Sequence, residues 1–322
     1  MKSINPLAPE TILHQRYKIK EIIGRGGTGI VYSAYDITLK IEIAIKELFP
    51  NRYIYSSNQK DIYQSSYFPN TLFQKLENNF IQEANFMLDF SKCPNIPVLY
   101  DLFEENNTWY YVMELLKGST LKQYLILNNA PLLEKDVFHI AIKILETLSY
   151  IHQYNIIHRD ICSDNIFLTE SNEIMLIDFG SAIKYTDKNF SLITIRKGYT
   201  PPEQYQTNGL IGPWTDIYAL GAVLYEILTL KKIPESIERP LDDKIISPKQ
   251  INRQISNNMN LAIIKALSLN PKKRFQTSTE FYEYLKTGNH ALYKIIKNIL
   301  ILSLLLLLVI GCVIILSYKI FH

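Results

Sequence analysis

Two short motifs dominate the middle of the sequence: His158-Arg159-Asp160-Ile161-Cys162-Ser163-Asp164-Asn165 and, shortly after it, Asp178-Phe179-Gly180. Between them lie two apolar runs separated by a polar break, a pattern that predicts a β-hairpin. A hairpin brings its two ends together, so Asp160, Asn165 and Asp178 should converge. Their oxygen atoms suit Mg²⁺, which is commonly bound by one or two carboxylates together with phosphate oxygens. Taken singly, each acidic residue would be interpreted as a solvated loop residue.

A glycine-rich segment, Gly24-Arg25-Gly26-Gly27-Thr28-Gly29, lies near the start of the chain and is followed by Val31. Apolar residues on both sides predict a strand before it and a strand after it, whereas a dinucleotide-binding fingerprint would lie between a strand and a helix. Glycines allow the backbone to approach phosphate oxygens without a Cβ in the way. A glycine-rich hairpin turn is the alternative interpretation of this segment alone.

The next predicted strand carries Ile41, Ile43 and Ile45 on one face, which places Ala44 and Lys46 on the other. Ala44 is small enough to admit a flat base against the sheet. Lys46 would then point toward phosphates bound under the glycine-rich segment. A surface lysine on an edge strand is the alternative, and it is the commoner position of a lysine.

A long polar connection separates this strand from a predicted amphipathic helix with apolar positions Phe80, Ala84, Met87 and Leu88. Glu83 lies next to this apolar stripe, so its carboxylate is placed to pair with the lysine of the third strand. A surface glutamate at the edge of the stripe is the alternative.

The composition indicates a chain large enough for two lobes, with 322 residues of which 47% are hydrophobic. The formal net charge of +3 is too small to predict nucleic-acid binding, and no basic run with interleaved aromatic residues occurs in the sequence. The three cysteines, Cys93, Cys162 and Cys312, have no metal-binding spacing, which favours free thiols in a reducing compartment. No apolar segment follows the basic residue near the N-terminus, so no cleaved signal peptide is predicted.

Taken in order, the motifs between residues 17 and 286 resemble those of bacterial Ser/Thr protein kinases of the eukaryotic-like, Hanks type. Three further segments are similar to one bacterial subgroup of these kinases: 46–50 (KELFP), 198–205 (GYTPPEQY) and 212–221 (GPWTDIYALG). The resemblance implies an α+β, two-lobed fold with a small β-rich N-lobe and a larger helical C-lobe. The implied boundaries are a leader at 1–12, an N-lobe at 13–116 and a C-lobe at 117–288.

The resemblance also implies transfer of the γ-phosphoryl group of ATP to a hydroxyl group of a protein. Asp160 would orient the hydroxyl and accept its proton. Asn165 and Asp178 would bind Mg²⁺, with Mn²⁺ as a substitute, while Lys46, fixed by Glu83, would bind the α- and β-phosphates. The remaining residues implied to bind ATP are the glycine-rich segment with Val31, then Ala44, Met113 behind the adenine pocket, and the backbone of Glu114 and Leu116.

Five further residues would have structural roles by the same resemblance: His158, Arg159, Glu203, Asp216 and Arg274. Glu203 would pair with Arg274 and brace the platform on which protein substrate lies. Asp216 would hold the catalytic loop from below.

Arg159, which precedes the catalytic aspartate, indicates control by phosphorylation of residues 181–200, with the phosphate pairing to this arginine. Within that segment Ser191 and Thr194 are the candidate phosphorylation sites.

Two positions depart from the family pattern. Cys162 lies two residues after Asp160, where many Ser/Thr kinases have a lysine near the γ-phosphate, although the similar bacterial subgroup often has serine there. Loss of a cation at ~4 Å would cost a few kcal/mol at an effective dielectric constant of about 20. Because the similar subgroup functions without a cation there, we expect an active enzyme, and the sequence leaves open whether Cys162 lowers its rate. Arg196 lies seven residues before Glu203, where Ser/Thr kinases often have a threonine, and this leaves tyrosine specificity open.

Residues 299–317 contain no charge and no proline, and as a helix they would span ~28 Å at about 1.5 Å per residue, enough to cross a bilayer. A buried helix of a soluble protein is the alternative. Lys286, Lys294 and Lys297 precede this segment and only Lys319 follows it, which predicts that the kinase side faces the cytoplasm. The expectation is a single-pass cell-membrane protein with a juxtamembrane segment at 289–298, a transmembrane helix at 299–317 and a tail at 318–322, too short for a sensor domain.

Two other functions compete with an active protein kinase. One is a pseudokinase that binds ATP or acts as a scaffold at the membrane, and Cys162 is its only support. The other is a small-molecule phosphotransferase with the same two-lobed fold, which would typically lack the segment from Gly198 to Glu203. The partners implied by the kinase interpretation are protein substrates, ATP and membrane lipid, without nucleic acid. The sequence leaves open whether the chain forms a homodimer.

Overall fold

A computed structural model describes residues 6–50, 54–55, 63–64, 70–185, 194–206, 208–239 and 245–287. The strands of the described residues are β1 (Ile12–Leu13), β2 (Tyr17–Arg25), β3 (Gly29–Asp36), β4 (Ile41–Leu48), β5 (Ile54–Tyr55), β6 (Tyr63–Gln64), β7 (Leu99–Glu105), β8 (Thr108–Glu114), β9 (Gly118–Thr120), β10 (Ile156–Ile157), β11 (Ile166–Thr169), β12 (Ile174–Leu176) and β13 (Ile183–Lys184). The helices are α1 (Asn70–Asp89), α2 (Leu121–Asn128), α3 (Glu134–Gln153), α4 (Pro213–Thr229), α5 (Pro248–Ile251), α6 (Asn257–Ala266) and α7 (Ser278–Thr287). Short 3-10 helices lie at Pro202–Tyr205, Ser236–Glu238 and Pro271–Lys273.

The first half of the described chain forms an antiparallel sheet with strand order β1-β2-β3-β4-β8-β7. Ile43 and Ile45 of β4 lie on the face that packs with Tyr17, Tyr32 and Tyr110 in an apolar cluster. The opposite face of β4 is turned toward α1. The strands predicted before and after the glycine-rich segment and the next strand, which carries Lys46, are therefore confirmed.

Helix α1 packs on this sheet through Phe80, Ala84 and Met87, which are buried as predicted. Leu88 was predicted on the same apolar face, and this prediction is wrong, because its side chain is 56% exposed. The helix ends at the next residue, and the chain turns there so that Phe90, which is fully buried, occupies the core position instead.

The described part of the predicted leader lies against the sheet. The backbone N–H of Leu7 donates to the hydroxyl of Tyr32 at 3.1 Å, and the Leu7 side chain packs against the apolar cluster of the sheet. Ile12 pairs with Lys18 of β2. Residues 7–12 of the predicted leader are therefore held on the sheet by an apolar contact and by backbone hydrogen bonds.

The second half is mainly helical and is larger. Helix α3 buries an apolar stripe that runs from Val137 to Ile151. Helix α4 begins at Pro213 and is buried from Thr215 to Thr229. These elements, with the sheet in front of them, form the two-lobed fold predicted from the sequence.

The hairpin that follows the first motif is formed by β11 and β12, with Ile166 opposite Leu176. Strand β9 extends it on the other side. This confirms the predicted hairpin and brings the two motifs together at one end of it.

The described residues contain no helix that is both long and apolar enough to cross a bilayer. The predicted transmembrane helix at 299–317 and its flanks at 289–298 and 318–322 lie outside the described residues, as do Ser191 and Cys312.

Candidate active site

A cavity of about 970 Å³ lies between the sheet and the helical lobe. Its lining includes all of the residues that the sequence motifs assigned to catalysis and to nucleotide binding. Residues from strands, helix α1, the linker after β8 and the loops around the β11–β12 hairpin thus meet at one cleft.

The glycine-rich segment is anchored at one end and open at its tip. A Cβ on Gly29 would lie 2.7 Å from the carbonyl oxygen of Glu47, so this position has no space for a side chain. A Cβ on Gly27 would have no heavy atom within 4 Å. The Gly26 N–H donates to the Gly29 carbonyl at 2.9 Å and closes the turn. The tip is therefore free to lie over phosphate oxygens.

Lys46 lies between two carboxylates. Its Nζ is 2.8 Å from Oε1 of Glu83 and 3.4 Å from Oδ1 of Asp178, and the Tyr111 hydroxyl donates to Glu83 Oε1 at 3.0 Å. Strand β4, helix α1 and the loop after β12 each supply one of the three charged groups. The predicted lysine, glutamate and aspartate therefore converge, although 132 residues separate Lys46 from Asp178.

The charges in this group shift one another's pKa. Burial alone would lower the pKa of Lys46, but the negative charges of Asp178 and Glu83 outweigh it, so its pKa is raised well above the usual value. The positive charge of Lys46 in turn lowers the pKa of Asp178 to about 2. Both groups are therefore charged at neutral pH, as a lysine that binds phosphate and an aspartate that binds a metal ion must be.

Asp160 and Asn165 lie together at the far end of the cleft. The Asn165 Nδ2 donates to the Asp160 carbonyl at 2.9 Å and to Asp160 Oδ2 at 3.0 Å. These bonds turn the amide oxygen of Asn165 away from Asp160. Burial raises the pKa of the Asp160 carboxyl above its ordinary value, which strengthens it as a proton acceptor.

Arg196 contacts the same aspartate and was not among the predicted site residues. Its Nε lies 3.0 Å from Asp160 Oδ1 and its Nη2 lies 3.2 Å from Asp160 Oδ2. The only signal for it in the sequence was an arginine at the position of an expected threonine. Cys162, the other departure from the family pattern, is completely buried.

Asp216 of helix α4 holds the backbone of the first motif. Its carboxylate accepts hydrogen bonds from the N–H groups of His158 and Arg159, each at 2.9 Å. Arg159 has a φ of 62°, a left-handed backbone conformation that residues other than glycine rarely adopt, and these hydrogen bonds stabilise it. The carboxylate also contacts Nε2 of His152 at 2.9 Å.

Glu203 and Arg274 form a buried bidentate pair, with Nη1 to Oε1 at 2.7 Å and Nη2 to Oε2 at 3.0 Å. Thr215 at the start of α4 donates to the same carboxylate at 3.0 Å. The pair ties the segment before α4 to the chain before α7, because its two members are 71 residues apart.

A model of the protein kinase domain matches residues 17–284 of this chain. The chain belongs to the protein kinase family. The expectation drawn from the ordered motifs is confirmed at this level.

The similar proteins are serine/threonine kinases of bacteria. Serine/threonine-protein kinase PrkC of Bacillus subtilis is 34% identical over 285 residues, which cover 85% of this chain and 40% of that protein. Serine/threonine-protein kinase PknA of Nostoc sp. is 30% identical over 291 residues, covering 87% of this chain and 48% of that protein. A solved structure described as "PpkA-294 apo form" has a TM-score of 0.75 and 31% identity, covering 87% of this chain and 99% of that one. This chain therefore spans less than half the length of these two curated relatives.

The donor set of the kinase cleft fits a magnesium ion that is shared with phosphate. Among the described residues no group of three or more His, Cys, Asp or Glu side chains could hold a metal ion alone. Asp178 and the amide of Asn165 both line the cavity and offer two oxygen ligands. Mg²⁺ prefers this arrangement, because phosphate oxygens and water complete its octahedral shell.

The linker that follows β8 in this kinase carries the positions assigned to adenine. Met113, Glu114 and Leu116 are all partly exposed and line the cavity. The N–H of Glu114 donates to the Val98 carbonyl at 2.9 Å. A base bound here would therefore use the carbonyl of Glu114 and the backbone of Leu116.

Thr194 lies in the kinase segment after the second motif, next to the catalytic loop. Its hydroxyl is 2.7 Å from that of Ser181, and the carbonyl of Ser181 accepts a hydrogen bond from Arg159 Nε at 2.7 Å. The side chain of Gln204 joins the Thr194 and Arg159 carbonyls at 2.7 and 2.8 Å.

Proposed function

We propose that this protein is an ATP-dependent protein kinase that phosphorylates serine or threonine hydroxyls of other proteins. The contact of Lys46 Nζ with both Glu83 and Asp178, in the same cleft as Asp160 and Asn165, carries the proposal. A surface lysine and scattered acidic residues would not give this convergence.

In the proposed reaction the hydroxyl oxygen of the acceptor forms a bond to the γ-phosphorus of ATP. The bond from that phosphorus to the β,γ-bridging oxygen breaks, and ADP leaves with that electron pair. Asp160 orients the hydroxyl and accepts its proton, for which its raised pKa and its position beside Asn165 are suited. Lys46 binds α- and β-phosphate oxygens, and Glu83 fixes the orientation of the lysine. Catalysis in such sites comes mainly from positioning and charge stabilisation.

Asn165 and Asp178 would hold Mg²⁺, with Mn²⁺ as a substitute. The ion neutralises phosphate charge when it is bound. The chain itself keeps both ligands in place, since Asn165 is fixed by its bonds to Asp160 and Asp178 accepts the Gly180 N–H at 3.3 Å.

The proposal includes control by phosphorylation of the segment that holds Thr194. A phosphate on Thr194 would lie near Arg159, because Ser181 and Gln204 already connect the two residues. Mass spectrometry of protein expressed with ATP is expected to find phosphate on Thr194 or Ser191. Fully active enzyme with neither residue modified would contradict this part of the proposal.

We also propose that residues 299–317 anchor the kinase in the cell membrane as a single helix, with the catalytic lobes in the cytoplasm. The absence of charge over this length and the lysines on its near side support the proposal. Carbonate extraction of membranes from expressing cells should leave the full chain in the pellet, and a variant with Leu305→Lys and Leu306→Lys should release it. Release of the unaltered chain would refute the anchor.

A single assay separates the proposed kinase from the competing functions. Purified full chain is incubated with Mg²⁺ and ATP labelled at the γ-phosphate, beside Asp160→Asn, with casein, myelin basic protein, sugars and aminoglycosides as acceptors. We expect label on protein serine or threonine in the wild type only. Nucleotide binding without transfer would indicate a pseudokinase, and label on sugars or aminoglycosides would indicate a small-molecule phosphotransferase.

A further inference from the structure

The catalytic loop of this chain has no cation two residues after Asp160. Cys162 occupies that position with 0% of its surface exposed. A cysteine side chain carries no positive charge in either of its protonation states. The catalytic loop therefore provides no positive charge at position 162, where many Ser/Thr kinases have a lysine near the γ-phosphate.

Arg196 brings a positive charge to this place from another segment. Its Nε and Nη2 donate three hydrogen bonds to the Asp160 carboxylate, and it lines the same cavity as Lys46 and the glycine-rich segment. Its side chain remains 43% exposed. The cation at the acceptor end of the cleft thus comes from a residue 36 positions after Asp160, whereas the usual lysine would lie two positions after it.

The backbone around Arg196 is fixed, so its position next to the aspartate is not accidental. The Arg196 N–H donates to the Thr200 hydroxyl at 2.7 Å, and its carbonyl accepts from the Tyr199 and Thr200 N–H groups at 2.9 and 3.1 Å. The Tyr199 hydroxyl in turn lies 2.9 Å from that of Ser163, which belongs to the catalytic loop. A side chain at position 196 is therefore held facing the loop that contains Cys162.

We propose that Arg196 replaces the missing cation of the catalytic loop and binds the γ-phosphate of ATP while it remains paired with Asp160. A guanidinium has five N–H donors in a rigid fork, and the pair with Asp160 engages only Nε and Nη2. The group can therefore bridge the carboxylate and a phosphate oxygen at the same time. This inference rests on the proposed kinase function and assigns it one more catalytic residue.

The test compares Arg196→Gln, which keeps hydrogen bonding but loses the charge, with Arg196→Lys, which keeps the charge. Arg196→Gln is expected to lower kcat by about 100-fold, the usual effect of removing one charge-stabilising donor, with the KM for ATP changed less than about threefold. Arg196→Lys should retain activity within about tenfold of the wild type. The matched control is Lys197→Gln, because Lys197 is the next residue, its side chain is 84% exposed and it pairs with Glu235. That control should equal the wild type.

A second arm restores the charge from its usual position. The double variant Cys162→Lys, Arg196→Gln should have a kcat at least about tenfold higher than that of Arg196→Gln alone. Thermal unfolding of each variant is measured alongside. If the buried lysine at position 162 prevents folding, the comparison of Arg196→Gln with Arg196→Lys decides the proposal. An Arg196→Gln enzyme as fast as the wild type or faster would overturn the proposal, and a faster one would identify the contact as an inhibitory clamp on Asp160. Equal losses for Gln and Lys would also overturn it.

The wild type and Asp160→Asn are assayed in the same series. A wild type that transfers no more phosphate than Asp160→Asn defeats the proposed function itself. An active wild type with an unimpaired Arg196→Gln defeats only the role of Arg196.

Discussion

The two ends of the catalytic cleft are built in different ways. At the nucleotide end, Lys46, Glu83 and Asp178 contact one another, and each occupies the position that the kinase motifs assign to it. At the acceptor end, Asp160 pairs with Arg196, which no motif assigns to the site. A sequence motif identifies residues by their spacing along the chain. The proposed reaction instead requires a positive charge near the γ-phosphate, whichever segment carries it. A charge lost from one segment can be supplied by another.

The largest effect is expected at the acceptor end, from Asp160→Asn. The amide keeps the shape of the side chain but cannot accept the proton, so the rate of phosphoryl transfer should fall by about 10³-fold, within the usual range for a general base. Nucleotide affinity should change little, since Lys46 and Asp178 are untouched. Transfer of labelled phosphate and binding of a fluorescent ATP analogue measure the two quantities. Glu173→Gln, on the exposed turn of the β11–β12 hairpin, is the control. A variant with more than a tenth of the wild-type rate would show that Asp160 is not the base.

The platform at the acceptor end should depend on the buried pair of Glu203 and Arg274. Arg274→Met leaves the Glu203 carboxylate buried without its partner, and the free energy of unfolding should fall by about 3 kcal/mol. The control is Lys20→Met, which removes the cation of an exposed pair with Glu42 and should cost less than about 1 kcal/mol. Urea unfolding measures both. Equal losses in the two variants would contradict the proposed brace.

The sheet at the nucleotide end contains a buried carboxyl, on the face turned away from the cleft, that makes stability depend on pH. Glu47, next to Lys46 on β4, is 1% exposed, and burial raises its pKa from 4.5 to about 7, although the hydroxyls of Tyr32 and Tyr110 donate to it at 2.6 and 2.8 Å. The folded state therefore binds more protons than the unfolded state between these two values, and the free energy of unfolding falls as pH rises through this window. Between pH 5 and pH 8 this group should account for a loss of about 2.5 kcal/mol.

Replacement of Glu47 by Gln removes this titration. Urea unfolding from pH 5 to pH 8 should then show a shallower decline for Glu47→Gln than for the wild type, with Glu104→Gln, an exposed strand residue, as the control. Identical slopes in the wild type and Glu47→Gln would mean that the carboxyl titrates normally.

The smallest effect is expected from Glu83→Gln at the nucleotide end. The amide retains one hydrogen bond to Lys46 but loses the charge that fixes it, so kcat/KM should fall by about tenfold, mainly through a higher KM for ATP. Glu83 acts through Lys46, so its loss should raise the KM for ATP more than it lowers kcat. A residue that only stabilised helix α1 would not change KM selectively. Glu77→Gln on the same helix is the control. A loss confined to kcat with KM unchanged would argue against the positioning role.

The nucleotide end could be predicted from the sequence because its residues belong to elements with clear signals. The alternation in β4 determined the face of Lys46, and the 3.6-residue periodicity of α1 placed Glu83 beside the buried stripe. The hairpin of β11 and β12 predicted the approach of Asp178 to Asp160. Local pattern gave the face of each side chain, and the resemblance to protein kinases decided between the paired positions and the alternative of a surface lysine and a surface glutamate.

The rest depended on tertiary packing that no local pattern reports. Arg196 lies in an irregular segment, so the direction of its side chain follows from contacts of Tyr199 with Ser163 and of Thr200 with Ser236, which are distant in sequence. The surroundings of Glu47 could not be predicted either, since Tyr32 and Tyr110 come from two other strands. Leu88 was misplaced because the buried face at the end of α1 runs through Phe86, Met87 and then Phe90, which leaves Leu88 outside it.

The most direct test of the central claim is a crystal structure of the full chain with Mg²⁺ and a non-hydrolysable ATP analogue. We predict a single nucleotide in the cleft, with Lys46 on its α- and β-phosphate oxygens and a metal ion bound by Asn165 and Asp178 at about 2.0–2.1 Å. Its γ-phosphate should face Asp160. A nucleotide bound elsewhere, or a metal ion that contacts neither Asn165 nor Asp178, would contradict the claim.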